Sequence, residues 1–206
     1  MLPPIGTCSP ANNYTGRSHK AAIVRQLTGR RLFAANDTVR VVSRKTHGAA
    51  GTFDVDLPLA GSPGIECRTG GPNGDYTVVF TFPSAISNCG SANIGTVTSG
   101  PNNDQCTVNL TGITNDQYVT VGLTGVTLSG GGPSIAASVS FGVLVGDTNA
   151  DHFVDSADIS QTKSQSGNPV IQSNYRTDLN TDGFIDSADI SLVKSRSGGA
   201  LAVAPP

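Results

Sequence analysis

The chain has 206 residues, room for two domains that each bury a core. Its formal net charge of -2 and its 14% of charged residues exclude the basic field that nucleic acid attracts. No apolar run reaches the roughly 18 residues of a membrane-spanning helix.

Residues 1–37 contain Arg17, His19, Lys20, Arg25, Arg30 and Arg31, which interrupt every apolar core a secretory signal would need. This stretch is expected to be a leader or extension with poor order. From Thr38 the text becomes strand-like: TVRVVSRKTH, GTFDVDLPL, GIECRTG, DYTVVFTF, NIGTVTS, QCTVNLTGI, QYVTVGLTGVTLS and SIAASVSFGVLV, each bounded by Gly, Pro, Asn or Asp. The expected architecture over 38–145 is mainly β, an immunoglobulin-like antiparallel β-sandwich. Phe80, Phe82, Val108, Leu110, Val119, Val121, Val139, Phe141 and Val143 would supply its inward faces. The chain has no tryptophan, so the usual core marker of antibody domains is missing.

The first strand, 38–47, carries Arg40, Arg44 and Lys45 and precedes the small run Gly48–Gly51. It reads either as a plain first strand with a basic face or as a segment able to swing out and complete a neighbour's sandwich, with Val39 and Val41 entering an apolar groove. Cys89 and Cys106 flank a Gly/Ser/Asn-rich hairpin-like segment and are expected to form a disulfide, a loop closure of about 3 kcal/mol. Cys8 and Cys67 are open to pairing with each other or with other molecules. None of the four cysteines has zinc-ligand spacing.

Acid usage changes sharply after residue 146. Glu66 is the one glutamate, and eight of the fourteen aspartates lie between Asp147 and Asp189. They fall into two twelve-residue segments, DTNADHFVDSAD and DLNTDGFIDSAD, 31 residues apart. A calcium loop places oxygens at positions 1, 3, 5, 7, 9 and 12, because a hard cation of this size takes about six to eight oxygen ligands. The candidate ligands are therefore Asp147, Asn149, Asp151, the Phe153 carbonyl, Asp155 and Asp158 in loop 1. In loop 2 they are Asp178, Asn180, Asp182, the Phe184 carbonyl, Asp186 and Asp189, so two calcium ions are expected.

Val154 and Ile185, at position 8, are expected to meet across a short β bridge. Each loop runs into a helix, SADISQTKSQSG or SADISLVKSRSG, that shares nine of twelve residues with the other and stops at Gly167 or Gly198. The first loop has His152 at position 6, where the sharp turn prefers a glycine such as Gly183, so it should bind calcium more weakly.

Residues 146–198 resemble a type I dockerin, a pair of calcium loops closed by Asp rather than by the Glu of cytosolic sensors. The resemblance implies recognition through positions 10, 11, 17 and 18: Ser156, Ala157, Lys163 and Ser164, repeated as Ser187, Ala188, Lys194 and Ser195. The region from the first strand to Gly198 also resembles secreted bacterial proteins that join an immunoglobulin-like domain directly to a dockerin-like module. Residues 199–206 form a tail.

His19, His47 and His152 have no neighbouring nucleophile or carboxylate motif, so no enzyme is expected. Two extracellular or cell-surface roles remain. The favoured one is a calcium-stabilised structural subunit that self-assembles into a pilus-like filament by donating residues 38–47 to another copy of itself. The alternative is a module that docks to a cohesin-like protein and tethers the sandwich. Neither involves nucleic acid or a membrane span.

Overall fold

The computed structural model describes residues 38–202; the leader expected over 1–37, with Cys8 and His19, lies outside the described residues. The described chain is mainly β, with two short helices at its C-terminal end. Its strands are β1 (Arg40–His47), β2 (Gly51–Asp56), β3 (Gly64–Glu66), β4 (Tyr76–Thr81), β5 (Ile86–Asn88), β6 (Ser91–Ala92), β7 (Thr96–Ser99), β8 (Gln105–Leu110), β9 (Gln117–Leu128) and β10 (Ile135–Val143). The helices are α1 (Ser156–Gln165) and α2 (Ser187–Arg196).

One sheet has the order β2-β1-β4-β8-β7 and the other β3-β10-β9-β5, with β6 beside β9. Pairing is antiparallel throughout except between β3 and β10, which run parallel. The alternation of β4, β8, β9 and β10 turns one side of each strand inward, and all nine core residues expected from the sequence are buried in one apolar cluster. Cys89 and Cys106 are joined as a disulfide across this core, with Cα atoms 5.7 Å apart. Cys67 is buried, with its thiol donating to the Arg176 carbonyl at 3.5 Å, and has no disulfide partner among the described residues.

Strand β1 corrects the expectation of a donated strand. It is an inner strand of its own sheet: Val42–His47 pair with Asp56–Gly51 of β2, and Arg40–Arg44 with Thr81–Thr77 of β4. Both backbone edges are therefore used within the chain, and Val41 is already in the sandwich core with Val39 packed against it. The physical reason lies in the small-residue run, which is a tight hairpin turn closed by Ala50 N–H to the His47 carbonyl (2.8 Å); a connection this short favours local pairing. The basic face is matched as well: Arg40 pairs with Asp56 (2.6 Å), Arg44 with Asp54 (2.7 Å), and the Lys45 ammonium sits 4.3 Å from the Tyr76 ring centre. The filament reading loses its premise of a detached strand.

The chain leaves β10 without a linker. Leu144 and Val145 are buried with Ile65 of β3 and with Val154, Leu179, Val193 and Leu201 of the C-terminal part. A second apolar contact joins Phe53 of β2 to Val170 and Ile185, and Tyr175 stacks on Phe53 with ring centres 5.3 Å apart. The C-terminal module thus packs on the end of the sandwich along two separate apolar clusters.

Candidate calcium loops and docking face

Each helix begins inside a loop, and the loop's own aspartates start it. Asp155 is the N-cap of α1 and accepts the Ala157 N–H (2.6 Å), while Asp158, in the first turn, accepts the Asp155 N–H (2.9 Å). Asp186 and Asp189 repeat this reciprocal arrangement at the start of α2. It satisfies amide groups that a helix start leaves unpaired and places negative charge at the positive end of the helix dipole. The caps are these aspartates, and Ser156 and Ser187 are the first residues of the helices. Gly167 and Gly198 follow the helix ends at φ 85° and 93°, as stop residues should.

Asp158 and Asp189 are buried and also close the loops. Asp158 Oδ1 accepts the Thr148 N–H (2.8 Å) and Asn149 N–H (3.3 Å); Asp189 Oδ1 accepts the Leu179 N–H (2.8 Å) and Asn180 N–H (3.2 Å). Asn149 Oδ1 accepts the Asp151 N–H and Asp151 Oδ1 the Phe153 N–H, both at 3.0 Å; Asn180 and Asp182 make the same bonds at 2.9 Å. The repeat is therefore one of geometry as well as of text. Positions 4 and 6 turn through positive φ in both loops: Ala150 at 62° and His152 at 76°, Thr181 at 60° and Gly183 at 94°. His152 holds a conformation that suits glycine, and its Nδ1 lies 3.2 Å from the Tyr118 hydroxyl.

Position 8 departs from expectation. Val154 and Ile185 do not pair with each other; Phe153 bridges to Ala200 and Phe184 to Pro169. Each loop pairs instead with the segment that follows the other loop's helix. Val154 and Ile185 are then buried in two different clusters against the sandwich.

Burial pushes Asp147 up to about 6, against the His152 and Asp151 amides that donate to it, and Asp158 nearby pushes the same way. Burial likewise raises Asp189, with Asp178 adding to the effect. Asp178 is buried with no hydrogen-bond partner for Oδ1. Among the described residues no three acidic, His or Cys side chains stand close enough together to hold a metal ion on their own. Within each loop the Asn at position 3 donates to the Asp at position 5, at 2.8 Å. An oxygen-only donor set with crowded carboxylates and an orphaned buried oxygen fits a hard divalent cation.

Residues 145–196 match the family model for the dockerin type I domain. The match covers the two loops and helices, about a quarter of the chain, and stops short of the sandwich. No curated protein and no solved structure matches the chain significantly. In the dockerin segment, Ser156, Ala157, Lys163 and Ser164 are all exposed, and so are Ser187, Ala188, Lys194 and Ser195. The sandwich covers neither copy of the face.

Sequence reasoning missed four residues that join the dockerin segment to the sandwich. Arg176 donates to the carbonyls of Thr148 (2.9 Å), Asp147 (2.9 Å) and Ile65 (3.0 Å), tying the start of loop 1 to β3. The Tyr175 hydroxyl donates to the Asp54 carbonyl at 2.8 Å. His47 Nδ1 lies 2.9 Å from Asp178 Oδ2, and Arg68 Nη1 3.0 Å from His47 Nε2. One signal was present for two of them: Tyr175-Arg176 stand where the repeat places Leu144-Val145, so the duplication breaks at the contact.

Proposed function

We propose that this chain is a non-catalytic docking protein, in which a calcium-loaded dockerin module attaches the sandwich to a cohesin-like receptor outside the cell. The observation that carries the reading is the duplicated, exposed face on α1 and α2, left open by a sandwich that is otherwise packed closely against the same module. Two calcium ions would be held, one by Asp147, Asn149, Asp151, the Phe153 carbonyl, Asp155 and Asp158, the other by Asp178, Asn180, Asp182, the Phe184 carbonyl, Asp186 and Asp189. Bound calcium offsets the mutual repulsion of these carboxylates and stiffens the loops from which both helices start.

Three acids of the sandwich are engaged structurally, which supports a role without catalysis: Asp54 and Asp56 in ion pairs, Glu66 with Arg68. The Cys89–Cys106 disulfide supports an oxidising, extracellular address.

The test is titration calorimetry of the full chain against a set of type I cohesin modules, with calcium and with chelator. One-to-one binding that chelator abolishes is expected. Because the face is duplicated, Ala157→Arg alone should leave binding intact, whereas Ala157→Arg with Ala188→Arg should abolish it. Binding that survives chelation, or filaments of the chain alone by electron microscopy, would overturn the reading.

A further inference from the structure

Loop 2 is built differently from loop 1 at its first residue. In loop 1 the Asp147 carboxylate accepts only from the loop's own amides, Asp151 N–H (3.1 Å) and His152 N–H (3.0 Å). In loop 2 the Asp178 carboxylate accepts the Gly183 N–H (3.0 Å) and faces a side chain of the sandwich, His47 at the end of β1, 131 positions earlier.

The direction of that hydrogen bond follows from the other side of the ring. A guanidinium can only donate, so Arg68 Nη1, 3.0 Å from His47 Nε2, makes Nε2 the acceptor and leaves the ring proton on Nδ1 for Asp178. Arg68 is itself fixed by Glu66, at 2.8 Å to Oε1 and 2.7 Å to Oε2, and by the Ser43 and Phe53 carbonyls. Glu66, Arg68, His47 and Asp178 are all buried, so water does not compete for these bonds.

The backbones meet at the same place. Gly48 N–H donates to the Thr181 carbonyl (3.0 Å), a Cβ on Gly48 would collide with the Asp182 carbonyl, and a Cβ on Gly183 would lie 2.9 Å from the His47 carbonyl oxygen. Asp178 Oδ2 is thus occupied by protein donors, and Oδ1 is buried without one.

We infer that His47 is a positioning residue for loop 2: the sandwich fixes Asp178 through Glu66, Arg68 and His47, leaves Oδ1 for the cation, and thereby couples calcium loading of this loop to the stability of the β1–β2 hairpin. This rests on the calcium reading of the loops. Coupling is reciprocal by linkage, so calcium in loop 2 stabilises the hairpin as much as the hairpin strengthens loop 2. Loop 1 has no such connection at the Asp147 carboxylate, its tie to the sandwich running through Arg176 and the Asp147 carbonyl, and is independent of His47.

The test uses the full chain and its His47→Leu and His47→Asn variants in calcium titration calorimetry. His47→Leu should weaken one of two sites about 10- to 100-fold, the range for losing an outer-shell partner, and leave the other unchanged. His47→Asn, whose amide can donate from the place of Nδ1, should recover most of the loss, which a role in packing alone would not produce. In the parent chain, calcium should slow hydrogen exchange of the amides of β1 and β2, a readout that needs no variant to fold. Equal affinities in parent and both variants, or β1 exchange indifferent to calcium, would overturn the inference while leaving the calcium reading standing. A parent chain that takes up no calcium would overturn both.

Discussion

Glu66 and Arg68 form a fully buried two-point ion pair beneath the hairpin that reaches loop 2. Burial alone would raise the Glu66 carboxyl, but the Arg68 guanidinium, with Lys45 and the Ser43 hydroxyl, outweighs it and holds Glu66 at about 2, below its ordinary 4.5. A carboxyl depressed in the folded state gives stability that is present above the unfolded value and lost as pH falls through the folded one. Urea unfolding should therefore show Glu66 contributing roughly 3 kcal/mol at neutral pH that fades between about pH 4.5 and 2. Glu66→Gln should flatten that segment of the profile. Arg68→Met, which leaves the carboxylate buried and unpaired, should destabilise by about 3–5 kcal/mol.

Thr162 of α1 and Val193 of α2 are equivalent positions of the repeat, and both are fully buried. The Thr162 hydroxyl has no hydrogen-bond partner, whereas Val193 presents a methyl at the same place. Thr162→Val should raise stability by about 1 kcal/mol, measured as an upward shift of the urea midpoint with unchanged slope. An unchanged or lowered midpoint would show that the hydroxyl is satisfied.

His152→Gly should tighten calcium binding in loop 1. A non-glycine residue at φ 76° carries strain of about 1–2 kcal/mol, part of which is offset by the ring's contact with Tyr118. The net gain expected is a few-fold in affinity at one site only.

The two loop-and-helix repeats were legible in the sequence because their Asp and Asn residues fall in one register along a short segment, and the register repeats after 31 residues. The inward faces of the sandwich were legible for a similar reason, from alternation within single strands. The place of β1 was not. Alternation beside a Gly/Ala run is the same whether the strand swings out or turns back, and what decides it is the pairing of Val42 with Asp56 across the short hairpin and with Val79 of β4, much farther along the chain. His47 was read as a histidine without partners because its partner is 131 residues away. The crosswise bridges of Phe153 to Ala200 and Phe184 to Pro169 were missed because the loops were assumed to face each other, an arrangement that their burial against the sandwich replaces.

Breaking the disulfide tests the oxidising address. Cys89 and Cys106 close a 17-residue separation, so Cys89→Ala with Cys106→Ala should lower stability by about 3 kcal/mol. Thiol labelling of the native, non-reduced chain should leave both cysteines unmodified.

Calcium titration calorimetry of the full chain, first stripped with chelator, tests the central claim most directly. Two ions per chain are expected, at unequal sites, with Asp178→Ala removing the tighter and Asp147→Ala the weaker, and with helical circular dichroism rising as the ions bind. No calcium uptake, or a helical signal that chelator leaves unchanged, would contradict the account.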